Sequence, residues 1–262
     1  MNGPGRGGAG GGFPHLHVAS AYSTHFGVTL PEALAGQANA QGASFLALTD
    51  RDGLYGAVKH LRACVAEDIR AGLGADLAVH DDDRVPIGRV VVLAHGGTSG
   101  RGYAALCRAV SAAHETVSTG AGPEPSIGRT ELAELAGLRA LTVLLGPASD
   151  VGEAIGRRAT KEAGARLTAW QRSMPAESVC LEIVCYLAEP GSRGSVTPAT
   201  RMLALAEQSG LPAVLTNAVR YGEPEEAVTA DLADAARTLT PLAELEQLQT
   251  NGQAWLKPAA SW

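Results

Sequence analysis

Short apolar runs alternate along the chain with longer segments in which apolar residues recur every three or four positions. The short runs are HLHVA (15–19), SFLALTD (44–50), LGADLAV (73–79), RVVVLAH (89–95), LTVLLGP (141–147), VCLEIVC (179–185) and LPAVLTNAV (211–219). Their length and their Val, Leu and Ile content predict buried strands. The periodic segments are LPEALAGQANAQG (30–42), YGAVKHLRACVAED (55–68), GYAALCRAVSAAHE (102–115), TPATRMLALAEQSG (197–210) and TADLADAARTL (229–239). Each carries one apolar stripe and reads as an amphipathic helix. Alternation of this kind predicts a mainly parallel sheet, and seven strands with intervening helices suit an α/β barrel or a distorted version of one.

Two breaks interrupt the pattern. HDDDRVPIG (80–88) is a polar insertion between two strands, and STGAGPEPSIGRT (118–130) is a Gly/Pro-rich loop; both read as excursions on the barrel rim. After Pro241 one short amphipathic stretch leads to an exposed-looking tail with Trp255 and Trp262. The chain therefore divides into a flexible Gly-rich lead-in (1–12), a barrel (13–240) and a C-terminal tail (241–262).

Composition narrows the function classes. The chain has 262 residues, 45% apolar and 18% charged, and no apolar run approaches the roughly 18 residues of a membrane span. Its opening MNGPGRGGAGGG lacks the apolar core of a secretory signal, so a cytoplasmic location is expected. Cys64, Cys107, Cys180 and Cys185 form no CxxC pair and read as reduced thiols. A formal charge of -6 argues against strong direct nucleic-acid binding, which needs Lys and Arg to neutralise several phosphates.

Candidate chemistry begins with FPHLHVASAYSTHFG (13–27). Two apart on an extended strand, His15 and His17 project to one face, where imidazoles can share an ion. In a parallel barrel the catalytic side chains gather where strands end. Those positions offer Thr49, Asp50, Arg51 and Asp52, then Asp76 and His80, His95, Glu182, and Asn217 to Arg220. The GGTSGRG after His95 does not fit a P-loop, which needs Lys and then Ser or Thr after its last glycine, and reads as a strand-to-helix turn. Asp81 to Asp83 read as a solvated turn, and no chemistry is assigned to His114 and Glu115 at a helix end.

HLHVAS, FLALTDRDGLYGAV, LGADLAV, VVVLAHGGTSGRGYAALCRAVSAAHE and LPAVLTNAVRYGEPEEA resemble, in order, the motifs of the PHP (polymerase and histidinol phosphatase) domain of the bacterial DNA polymerase III alpha subunit. The likeness runs from about Pro14 to about Leu256 and is nearest the error-prone, actinobacterial type, while AWLKP is similar to the linker toward the rest of the polymerase. The resemblance implies a distorted (β/α)7 barrel, TIM-barrel-like, which in active members holds metal ions for phosphate-ester hydrolysis.

It also implies a degenerate metal site. The retained ligand positions are His15, His17, Asp50, Asp76 and Glu182. At the lost ones Ala19 and Arg51 replace histidines, Phe26 an acid before Gly27, Tyr186 a histidine, and Ala218 and Arg220 the Asp and His of a TNDVHY motif. Guanidinium cannot lose its proton to bind a metal. The expectation is therefore no catalytic residue and no metal, with Arg51 and Arg220 paired instead to Asp50, Asp76 or Glu182. A single zinc or manganese ion on the retained ligands is the alternative.

The resemblance implies an architectural domain in replication or repair synthesis, partnered by the remainder of an alpha chain and by other replisome subunits. Two further readings stay open: a metal-dependent phosphoesterase or 3'-5' exonuclease using the retained ligands, and a stand-alone module binding a polymerase in trans.

Overall fold

The computed structural model describes residues 12–95, 99–137, 139–192, 194–245, 248–249 and 251–261. Most of the Gly-rich lead-in, Gly96 to Thr98 of the GGTSGRG segment, and Trp262 lie outside the described residues. The strands are β1 (Pro14–His15), β2 (Phe45–Arg51), β3 (Arg70–His80), β4 (Pro86–Ala94), β5 (Ile127–Gly128), β6 (Leu141–Leu145), β7 (Val179–Val184) and β8 (Ala213–Thr216). The helices are α1 (Pro31–Ala40), α2 (Ala57–Ala66), α3 (Arg101–Ser118), α4 (Arg129–Ala136), α5 (Asp150–Gly156), α6 (Thr160–Ser173), α7 (Val196–Ser209) and α8 (Ala227–Thr238).

One sheet runs β1-β2-β3-β4-β6-β7-β8, with β5 added beside the end of β3. A parallel bridge between Val18 and Val219 joins the first segment to the last, so the sheet is a nearly closed barrel of the distorted (β/α)7 kind. Every pairing on this path is parallel except those of β4, which is antiparallel to both β3 and β6. The cause is the insertion at 80–88. A parallel crossover needs a dozen or more residues, whereas only five separate β3 from β4, enough for a hairpin. Asp81 builds that turn, its carboxylate accepting from the backbone N–H groups of Asp83 and Val85.

The reversal corrects the placing of His95. As β4 runs backwards, His95 lies at the end of the barrel where the other strands begin, beside Ala140 and Thr142. The opposite end of β4 brings Arg89 to the carboxyl ends of β2 and β3.

The main core lies between the outer faces of β3, β4, β6 and β7 and the helices α3 to α7, with Leu77, Val79, Val92, Leu106, Leu145, Leu181 and Trp170 inside. Burying each large side chain contributes about 1.5–3 kcal/mol. Trp170, on α6, shares a stripe with Ala163 and Leu167, and its ring N–H donates to Asp150 at 2.9 Å. A second cluster packs α1 and α2 on β2 and includes Leu256.

Leu256 belongs to the tail, which is not the exposed segment its sequence suggests. Ala254, Leu256 and Lys257 are buried, and Trp255 is half-buried beside Tyr221. The Asn217 amide donates to the carbonyls of Gln253 and Trp255, and backbone bonds tie Arg220 to Ala254 and Leu256 to Tyr221. Residues 253–257 thereby form a strap along the β8 side of the barrel.

Candidate functional site

At the carboxyl ends of β2, β3 and β7, near the start of β4, buried charged side chains gather. Asp76 is the centre of one group. On the parallel β2–β3 ladder Arg51 is its register partner, so both side chains leave the same face. On the antiparallel side Asp76 faces Val91, which puts Arg89 two residues along on that face, a diagonal that a long side chain spans. Arg51 Nε lies 3.0 Å from one carboxylate oxygen of Asp76 and Arg89 Nε 3.0 Å from the other. Arg89 also donates to the Asp76 carbonyl and to the carboxylate of Asp52.

The electrostatics follow from this geometry. Burial alone would raise the Asp76 pKa, but Arg89, Arg51 and His17 together hold it below the usual carboxylate range. Burial works against the Arg89 charge too, yet Asp76 and Asp52 leave its pKa raised. For Asp52 burial prevails and the pKa is raised despite Arg89. Asp52 has a left-handed backbone (φ 53°), and its carbonyl accepts from His114 Nε2 at 2.6 Å, so His114 acts as a support for this turn.

His15 and His17 part company. His17 Nδ1 donates to Glu182 Oε1 at 2.7 Å, and Thr216 Oγ1 donates to the same oxygen. Burial would lower the His17 pKa, but Glu182 and Asp76 outweigh it and leave it raised. His15 is buried against Phe13; burial pushes its pKa down to about 4, with the Lys257 backbone opposing, and among the described residues its Nδ1 finds no hydrogen-bond partner. The Glu182 carboxylate fills the space beside Gly146, where a Cβ would lie 1.9 Å from Oε2.

Asp50 takes no arginine. Its carboxylate accepts from the Ser20 N–H at 2.7 Å and from the hydroxyls of Ser20 and Ser23, organising the loop after β1. Burial still raises its pKa above the ordinary value. Arg220 does not pair with Asp50, Asp76 or Glu182 either, which corrects that part of the expectation. Its Nη1 lies 2.8 Å from Asp234 on α8, and its other nitrogens donate to the Phe26 carbonyl. Asp234 completes the pairing with Arg237 at 2.8 Å.

Phe26 links the two arginine groups. The Arg51 guanidinium carbon lies 3.5 Å from its ring centroid and that of Arg220 4.0 Å. Two guanidiniums so close have no room on one face, so the ring is clasped between them. Tyr186 donates its hydroxyl to the Ala218 carbonyl at 3.2 Å, and Ala218 itself holds a left-handed backbone (φ 41°) that an alanine adopts only with strain. Ala19 is buried, its N–H bonded to Val219.

The donors do not fit a metal cluster. Among the described residues no group of three or more His, Cys, Asp or Glu side chains is placed to hold a metal ion. Asp76 faces two permanent cations, His17 is committed to Glu182, and Asp50 to two serines. The arrangement is a self-satisfied ion-pair network, not a ligand set facing open space. Sequence reasoning missed Arg89, Asp234 and the two serines. Arg89 was findable only by recognising the 80–88 insertion as a hairpin, which fixes its diagonal to Asp76.

Comparison with known proteins gives this geometry a lineage. The PHP domain family matches residues 15–184. The error-prone DNA polymerase of Mycobacterium bovis is 40% identical over 107 residues, 39% of this chain and 10% of that protein. DNA polymerase III subunit alpha of Treponema pallidum is 30% identical over 230 residues, 84% of this chain and 19% of that one. The error-prone DNA polymerase of Cutibacterium acnes is 29% identical over 252 residues, 94% of this chain and 21% of that protein. The chain thus spans about a tenth to a fifth of these relatives.

Among solved structures, one assigned to a metal-dependent phosphoesterase of Bifidobacterium adolescentis superposes with a TM-score of 0.51 at 14% identity, covering 78% of this chain and 86% of that one. An amidohydrolase from Chromobacterium violaceum gives 0.52 at 15% identity, covering 79% and 87%. At such identity the likeness shows the barrel fold alone.

Proposed function

The chain belongs to the PHP domain family, and on that premise we propose that it is a structural, non-catalytic module of a DNA polymerase III alpha-type polymerase. The observation that carries the proposal is the Asp76 carboxylate gripped by Arg51 and Arg89. Hydrolysis by a metal cluster needs anionic and imidazole donors enough to offset several dipositive ions. Here guanidinium groups supply the positive charge, and they can neither coordinate a phosphate ester's oxygens as a Lewis acid nor activate a water. What they do supply is stability: a buried carboxylate with two charge-assisted partners is held in one place. We propose accordingly that the domain holds no zinc or manganese.

Its partner in this reading is the remainder of an alpha-type chain, with other replisome subunits beyond it, in replication or repair synthesis. DNA is held by those other parts, in keeping with the net charge of -6. Among the described residues no helix is long and apolar enough to cross a membrane, and the reading places the chain in the cytoplasm.

The test is the metal content of the purified chain by elemental analysis after dialysis against zinc and manganese, with His17→Ala as control. The expected result is no bound metal in a folded protein and no hydrolysis of a chromogenic phosphate ester. An equivalent of metal that the substitution removes, or primer extension by the chain alone, would overturn the proposal.

A further inference from the structure

Helix α8 reverses the usual arrangement of an amphipathic helix. The face it buries carries Ala227, Ala230 and Asp234, whereas its large apolar residues Val228 and Leu232 are 62% and 53% exposed. An amphipathic helix ordinarily buries its large apolar stripe and turns charge to water. Leu239, directly after the helix, is 92% exposed, and Leu242 in the following turn is exposed too. Val228, Leu232, Ala235 and Leu239 follow one another at intervals of four, three and four residues, the seam spacing by which one helix packs along another. The N–H of Gln249 donates to Asp231 at 2.7 Å, so the tail runs back along α8 and brings the exposed Leu248 beside it.

Charge decides what kind of partner fits this seam. Between residues 223 and 252 fall seven of the chain's 27 acidic residues and one of its 21 basic ones. Asp234 is neutralised by Arg220 and Arg237, whereas Glu223, Glu225, Glu226, Asp231 and Glu244 meet no cation among the described residues. A second copy of the chain would bring like charge to like, which opposes self-pairing here. Helix α2 also exposes an apolar stripe, Val58, Leu61 and Val65, but there Lys59 and Arg62 offset Glu67 and Asp68, so charge favours no occupant.

We propose that the α8 seam docks a basic amphipathic helix of another polypeptide, with apolar side chains on Val228, Leu232 and Leu239 and Lys or Arg on the acidic rim. At 1.5 Å per residue the 12 residues of α8 span about 18 Å, which a partner helix of about three turns covers. The apolar stripe supplies the contact area, and the rim selects a cationic helix over a neutral or acidic one. The proposal goes beyond the structural reading above, because it stands on the surface of α8 and not on the Asp76 network.

Fluorescence anisotropy of a labelled peptide titrated with the full chain tests it. The probe is a helix of about three heptads with leucine at the seam positions and lysine at the others. Its controls are the same residues scrambled and the same helix with glutamate in place of lysine. The expected result is saturable binding of the leucine–lysine helix, with each control weaker by about tenfold or more. Leu232→Gln and Leu239→Gly, the second at a left-handed position (φ 52°) that glycine holds without strain, each weaken the helix by about tenfold or more. Val65→Gln, at an 81% exposed position on α2, leaves its affinity unchanged. No saturable binding, a control that binds as tightly, or unchanged affinity in both seam variants would overturn the proposal. So would a dimer in sedimentation that Leu232→Gln returns to monomer, which would give the seam to a second copy.

Discussion

Arg51 stands in register with Asp76 across the β2–β3 ladder, and its Nε lies 3.0 Å from a carboxylate oxygen of that residue. A permanently charged guanidinium is thereby the fixed countercharge of a buried carboxylate. With Arg89 on the other oxygen, the carboxylate is fully engaged by cations, which is how it can stay buried and charged.

Removing the shared anion should be worse than removing either cation. Asp76→Ala leaves two guanidiniums buried side by side without their anion, and is expected to destabilise the chain by about 3–5 kcal/mol. Arg51→Met, which keeps the stem and leaves Arg89 on Asp76, should lose less than half of that. Urea denaturation of the two variants checks the order; equal losses would mean that the triad does not act as a unit.

Two histidines set opposite pH limits. His15, with a folded pKa of about 4 against 6.5, is neutral when folded; its contribution is present above pH 6.5 and lost as the pH falls from there toward 4. The shift corresponds to about 3 kcal/mol. His17 has a raised pKa, so its pairing with Glu182 stabilises fully below pH 6.5 and is lost as the pH rises through the folded value. Melting temperature measured from pH 4.5 to 8.5 should therefore fall on both sides. His17→Gln is expected to flatten the alkaline side alone, and His15→Asn the acid side alone.

The Phe26 ring between two guanidiniums makes a further prediction. Cation–π contacts contribute about 0.5–2 kcal/mol each, more where water is excluded. Phe26→Leu preserves the apolar bulk and removes the π face, so a loss of about 1–3 kcal/mol is expected in thermal unfolding, while Phe26→Tyr should lose less than 1. A leucine variant as stable as the parent would show that the ring acts by volume only.

Much of the fold was legible because it depends on local pattern. Seven of the strands carried the apolar runs expected of buried parallel strands, and the amphipathic stripes of α1, α2, α3, α7 and α8 were plain. The helices α4, α5 and α6 were not. The α6 stripe is only Ala163, Leu167 and Trp170 among polar residues, and α5 is seven residues long with two glycines. The tail misled because Leu256 and Trp255 are apolar residues whose cover comes from α1, β8 and Tyr221, far away in sequence.

By itself the sequence determined the barrel and its kinship, because apolar period and residue type are carried by each segment alone. Which carboxylate each arginine meets was decided only by tertiary structure. Arg89 reaches Asp76 because a short hairpin reverses β4, Arg220 turns to Asp234 because α8 packs against the neighbouring Tyr221, and Asp50 goes to serines because the loop after β1 folds over it. Ion pairing follows the distance between atoms, and only register and packing set that distance.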